Sequence, residues 1–213
     1  MAIPAREQEL TEGKALERLI FFSDAIFAIA MTLLVLDIPR PGPRTNLATF
    51  LTTHDGKFIA FFISFWVIAL FWLGHHRLFR YVRHLDHGLI MINLVLLFWV
   101  AFLPYPSAIL GDRADTVSAT VFYAAVMCLA GLSSASLTWY AVSHRGFTGP
   151  IHPAMARYYT FRGLATTLVF AISIPIALIL SPTAAQAWWF VLFALHFGAR
   201  LIAERRADLD ASD

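Results

Sequence analysis

The sequence is poor in cysteine and in charge. Cys128 is the only cysteine among 213 residues, so an intramolecular disulfide and a cysteine-ligated metal cluster are both excluded. Charged residues make up 14% of the chain, against about 25% in an average soluble domain. The net charge of +2 is too small to indicate a nucleic-acid partner.

Apolar residues are correspondingly abundant. They make up 59% of the chain, which is more than a water-soluble core can bury. A membrane-spanning helix needs about 20 consecutive apolar residues, and several runs approach that length. We therefore predict an all-α polytopic membrane protein, with one transmembrane domain over residues 1–213 embedded in the lipid bilayer. The six predicted spans are residues 19–38, 58–73, 89–110, 116–142, 158–180 and 184–203.

The distribution of basic residues predicts the orientation of these spans. Six spans place both termini on one side of the membrane. Only Arg40, Arg44, Lys57 and Arg113 fall in the loops on the opposite side, and the other lysines and arginines fall on the side of the termini. Because cytoplasmic loops carry the excess of basic residues, we expect both termini in the cytoplasm and the protein in the cell membrane.

Motifs of several other function classes are missing. The sequence contains neither a Gly-x-Ser-x-Gly nucleophile motif nor a His-Glu-x-x-His pair, so we expect no enzyme and no cofactor. It also lacks a Thr-Val-Gly-Tyr-Gly loop, which argues against a filter of backbone carbonyls as the basis for ion selectivity. The histidines between the second and third spans are interpreted as part of a basic membrane-interface loop, with pH modulation as an alternative and no metal site expected. They are His75, His76, His84 and His87.

Asp24 is an acid inside the first apolar run, where a carboxylate is costly and usually marks a function or a paired network. A ring of such carboxylates facing a pore would concentrate cations. Helix geometry argues against that role, because Ile29, Leu33 and Leu36 lie within roughly 40° of one another and Asp24 lies about 140° from this stripe. If the stripe lines a pore, Asp24 points into the protein.

We therefore favour a structural network around Asp24. In this interpretation Asp24 and Ser23 bond to other helices, and Arg18 supplies charge compensation. The candidate partners are Asn93 in the third span and His196 in the sixth, although the sequence alone does not pair them.

The run that begins at Arg18 and continues through Phe22, Ser23 and Asp24 resembles the first-helix signature of the transmembrane protein 175 family. The resemblance extends over essentially the whole chain. It implies a channel permeable to potassium ions, built from four six-helix repeats around a pore lined by the first helix. A chain with one repeat would then form a homotetramer.

The resemblance also implies roles for residues of the first helix. The constricting positions of the family match Ile29, Leu33 and Leu36, and the polar position beside them matches Thr32. A narrow apolar ring penalises sodium more than the less tightly hydrated potassium, so modest selectivity for potassium is expected. The alternative is a proton-coupled secondary transporter with Asp24 and His196 as titrating groups, although inverted repeats are not evident.

Overall fold

The computed structural model describes residues 5–143, 153–192 and 194, with side chains from Gly13 onward except in 153–160 and at 162. Every regular element in these ranges is helical. The elements are α1 (Ala5–Leu33), a 3-10 segment (Leu34–Asp37), α2 (Leu47–Thr53), α3 (Asp55–Phe79), α4 (His87–Phe102), α5 (Pro104–Asp112), α6 (Val117–Ser143), α7 (Pro153–Ile179) and α8 (Pro182–Trp188).

Four helical stretches in the described part are long and apolar enough to cross a membrane. They are Gly13–Asp37, Asp55–Phe79, His87–Asp112 and Val117–Ser143, and Gly163–Ile179 is a shorter apolar helix. The prediction of an all-α, multi-pass membrane protein is confirmed. The sixth predicted span runs beyond the described residues, so the count of six spans stays a prediction.

The helix α3 is longer than the predicted second span. It continues through His75 and His76 to Phe79, and the His75 side chain is only 2% exposed. The interpretation of these two histidines as members of an interface loop is therefore wrong. Hydropathy ends the span at the first polar pair, whereas a helix continues where its polar side chains find partners inside the protein.

The third predicted span is divided at Pro104. The amide of Leu103 still donates to Trp99 O (3.1 Å), but Pro104 has no N–H and begins α5. As a result α4 and α5 are two helices joined directly. Helix α4 packs mainly on α1 and α6, and α5 packs mainly on α3.

The core lies where these helices meet. Its fully buried side chains come from α1, α3, α4 and α6, with additions from α7 and the region after α8. The largest include Phe27, Ile68, Leu78, Leu96, Leu97, Tyr123, Met127, Phe170 and Trp189.

Candidate pore helix and its supporting network

The helix α1 has two different faces. The apolar stripe, which continues into the 3-10 segment, is open on the subunit surface, with Ile29 56%, Leu33 42% and Leu36 72% exposed. The opposite face is buried against the other helices, where Phe27 is 0% and Leu34 4% exposed. The first helix therefore leaves a row of large apolar side chains uncovered in the single subunit.

Thr32 lies on the exposed face. Its hydroxyl stays close to its own helix, donating toward Ala28 O (3.0 Å) and Ile29 O (2.9 Å). Because the hydroxyl hydrogen is committed to the backbone, the lone pairs of Oγ1 remain available to an external donor or a cation. Thr32 therefore places a polar group on the flank of the apolar stripe.

Asp24 is half-buried and turned away from that stripe. Its Oδ1 accepts a 2.8 Å hydrogen bond from Trp72 Nε1 of α3. The Trp72 ring stacks on His76, with centroids 5.4 Å apart. The carboxylate thus has an indole N–H donor from a neighbouring helix.

A second set of contacts ties α1 to α3 and α4 through buried polar groups. His75 Nε2 lies 2.9 Å from Asn93 Oδ1, and Asn93 Nδ2 donates to Ser23 Oγ (3.1 Å). Ser23 Oγ in turn donates to Leu19 O (2.8 Å). His75, Asn93 and Ser23 are each at most 2% exposed, so this chain of bonds is buried inside the protein, where an unpaired polar group would be costly.

The other predicted site residues lie apart from this chain. Arg18 is exposed, and within the described residues no ion pair joins it to Asp24. Phe22 is 50% exposed, and His196 lies outside the described residues. Sequence reasoning missed Trp72 and His75, although both stand one to two turns before the end of α3, level with the first turns of the apolar run of α1.

An ion-pair cluster holds the other end of the pore helix. Lys57 Nζ at the start of α3 lies 3.3 Å from Asp37 Oδ2 and 2.7 Å from Asp112 Oδ1. Beside it, Gly56 and Gly111 bring α3 and α5 together so closely that a Cβ on Gly56 would stand 3.0 Å from Gly111 O. Asp37 closes the 3-10 segment, so Lys57 ties the end of the stripe to two other helices.

No group of three or more histidine, cysteine, aspartate or glutamate side chains in the described part is arranged to hold a metal ion. The geometry instead defines a class of protein. It is a multi-pass helical membrane protein whose first helix exposes an apolar face. The opposite face of that helix makes polar contacts with neighbouring helices.

The profile of the family "Endosomal/lysosomal potassium channel TMEM175" matches residues 18–104. The chain is 34% identical over 186 residues to a protein named as a potassium channel in Streptomyces collinus, covering 83% of this chain and 88% of that protein. The chain therefore belongs to the TMEM175 family, which confirms both the resemblance in the first helix and the expectation that the protein is not an enzyme.

Two further comparisons extend this result. The crystal structure of a lysosomal potassium-selective channel TMEM175 homolog from Chamaesiphon minutus superimposes with a TM-score of 0.75 at 28% identity, covering 88% of this chain and 98% of that one. The human endosomal/lysosomal proton channel TMEM175 is 35% identical over 106 residues, which cover 45% of this chain and 21% of the human protein.

Proposed function

We propose that this protein is a potassium-permeable channel of the cell membrane. Four copies would assemble around a central pore lined by α1, with both termini in the cytoplasm. Ile29, Leu33 and Leu36 form the constriction in this proposal, and Thr32 supplies its polar layer. The bacterial relatives named as potassium channels support this function.

The observation that carries the proposal is the division of α1 into two faces. The hydrogen bonds that Ser23 and Asp24 make with other helices leave from the side of α1 away from the stripe. The stripe is uncovered in a single subunit. In an assembly it would either pack against a second copy of the chain or line a pore. Thr32 on the same face argues for a pore, because a hydroxyl offers nothing to lipid tails but can replace water around an ion.

The proposed selectivity follows from dehydration. An apolar ring too narrow for a hydrated ion favours the ion that sheds water more easily, which is potassium rather than sodium. The Thr32 oxygens offset part of the lost hydration. Modest selectivity is expected, and narrowing of the ring would stop conduction by dewetting.

The test is the reversal potential of the purified protein in a planar bilayer, with potassium on one side and sodium on the other. The expected result is a potassium-selective current that needs no proton gradient. Leu33→Ala should raise conductance or weaken selectivity because it widens the constriction. Leu132→Ala on α6, a leucine of similar exposure (50%), is the matched control and should leave both unchanged.

Two results would contradict the proposal. If Leu33→Ala and Ile29→Ala were both silent in a protein that conducts, these residues would not form the constriction. If current flowed only under a proton gradient, the function would be proton transport, which the name of the human relative also suggests. Asp24 and His196 would then become the residues to mutate next.

A further inference from the structure

A small cavity lies inside the subunit among α3, α4, α6 and α7. Its volume is about 30 Å³, and since a buried water needs about 10–15 Å³, it has room for about two. Most of its wall is apolar. The polar part of the wall consists of His75 and three hydroxyl-bearing residues, Ser134, Thr138 and Thr166.

The bonds on the other side of His75 determine which of its nitrogens carries hydrogen. The Ser23 hydroxyl uses its hydrogen on Leu19 O, so its oxygen must accept from Asn93. Asn93 therefore presents its NH₂ group to Ser23 and its Oδ1 to His75. Nε2 must then donate, and in a neutral imidazole Nδ1 is left as an acceptor.

This Nδ1 atom is buried, and no donor in the described part of the chain lies within hydrogen-bond distance of it. Its neighbours on the ring faces are Phe79, stacked at 4.2 Å, and Phe27 at 5.5 Å, and neither side chain can donate. A buried acceptor without a donor is costly, and such atoms are rare in folded proteins. The His75 ring lines the cavity, whose polar wall groups lie on its other sides.

We infer that the cavity is a water-binding site in which one water donates a hydrogen bond to His75 Nδ1. Hydroxyl oxygens of the wall hold the water in place. Thr138 Oγ1 gives its hydrogen to Ser134 O (3.0 Å) and keeps lone pairs for the water. The bound water supplies the donor that Nδ1 lacks in the tautomer set by Asn93 and by Ser23 on the pore helix. This site is independent of which ion the protein conducts.

Solid-state NMR of the full chain, labelled with ¹⁵N histidine and reconstituted in lipid bilayers, tests the site directly. His75→Gln identifies the signals of His75, because glutamine keeps a donor near the Nε2 position and has no Nδ1. The expected spectrum shows a protonated Nε2, an unprotonated Nδ1 and magnetisation transfer from water protons to Nδ1. A protonated Nδ1, or an Nδ1 without transfer from water, would overturn the inference.

Gly74 provides a way to fill the cavity. It lies in the wall, and a Cβ there would have no atom within 4 Å. Gly74→Leu should therefore abolish the water transfer to Nδ1. Gly13→Leu, at another glycine with open space around it, is the control and should leave the transfer intact.

Gly74→Ala is a milder variant that keeps the test informative if Gly74→Leu fails to fold, because its methyl group enters open space. It should reduce the water transfer without changing the amount of folded protein. If the transfer were unchanged in both Gly74 variants, the water seen by Nδ1 would lie elsewhere and the cavity would not be its site.

Discussion

A Cβ atom on Gly163 of α7 would stand 2.9 Å from Ala135 Cα of α6. The same crossing repeats one turn away, where a Cβ on Gly131 would stand 3.0 Å from Thr167 N. These glycines let the two backbones touch, as small residues do between membrane helices. The close packing of the antiparallel helices α6 and α7 therefore requires glycine at both positions.

We predict that Gly163→Ala lowers the free energy of unfolding by about 1–3 kcal/mol, the usual cost of overpacking. The methyl group would meet backbone atoms, which cannot rotate away. Gly13→Ala is the control, because it makes the same chemical change in α1 where no atom lies within 4 Å. Chemical unfolding in detergent micelles measures both, and equal stabilities would show that the two helices can separate without cost.

The Trp72–Asp24 bond predicts coupling between α1 and α3. Asp24→Leu removes the acceptor and Trp72→Phe removes the donor, whereas Asp24→Asn keeps an acceptor oxygen and should be the mildest change. A double-mutant cycle should give a coupling free energy of about 1.5 kcal/mol, the lower end for a bond to a charged group because Asp24 is half-buried. Additive effects of the two variants on unfolding would show that the bond contributes nothing to stability.

Lys57→Met should leave Asp37 without its counter-charge. In the proposed channel this places an uncompensated carboxylate beside the end of the constriction, so single-channel conductance should rise at low salt. The difference should fade at 1 M salt, where the Debye length is about 3 Å. Asp112→Asn keeps the pair with Asp37 and is the control. The loss of stability should be about 1 kcal/mol or less, since both carboxylates are more than a third exposed.

Thr32→Val removes the hydroxyl while keeping the shape of the side chain. If the Thr32 oxygens replace water around the ion, the variant should lose selectivity, seen as a smaller reversal potential between potassium and sodium. A contact of about 1 kcal/mol, typical of a neutral hydrogen bond, corresponds to a change of about fivefold in the permeability ratio. Thr32→Ser should retain the wild-type reversal potential, and identical selectivity in all three proteins would remove Thr32 from the permeation path.

Some of this arrangement is present in the sequence. The period of a helix alone separates Asp24 from the apolar stripe, and both lie in one long run that must be helical in a bilayer. Asn93 attracts notice because it is alone in an apolar segment. Ser23 was among its predicted partners, but His75 could not be chosen in the same way, because pairing depends on how three helices pack.

Other features gave no clear signal. His75 was interpreted as part of a membrane-interface loop, since hydropathy assigns polar groups to water and ignores burial against other helices. Nothing in the sequence singled out Trp72 as the donor to Asp24. The short helix α2 was missed as well. It begins where Asn46 Oδ1 accepts from the amides of Ala48 (2.9 Å) and Thr49 (3.3 Å), a capping pattern too brief to stand out in a loop.

The join between α4 and α5 at Pro104 has a mechanical consequence. Asn93 of α4 supports one end of the pore helix, and Asp112 of α5 shares Lys57 with Asp37 at its other end. A single span thus braces α1 at both ends. If α1 tilts while these contacts persist, either α4 and α5 move with it as a rigid unit or the span bends at Pro104. Pro104 is therefore the point at which we expect the subunit to bend.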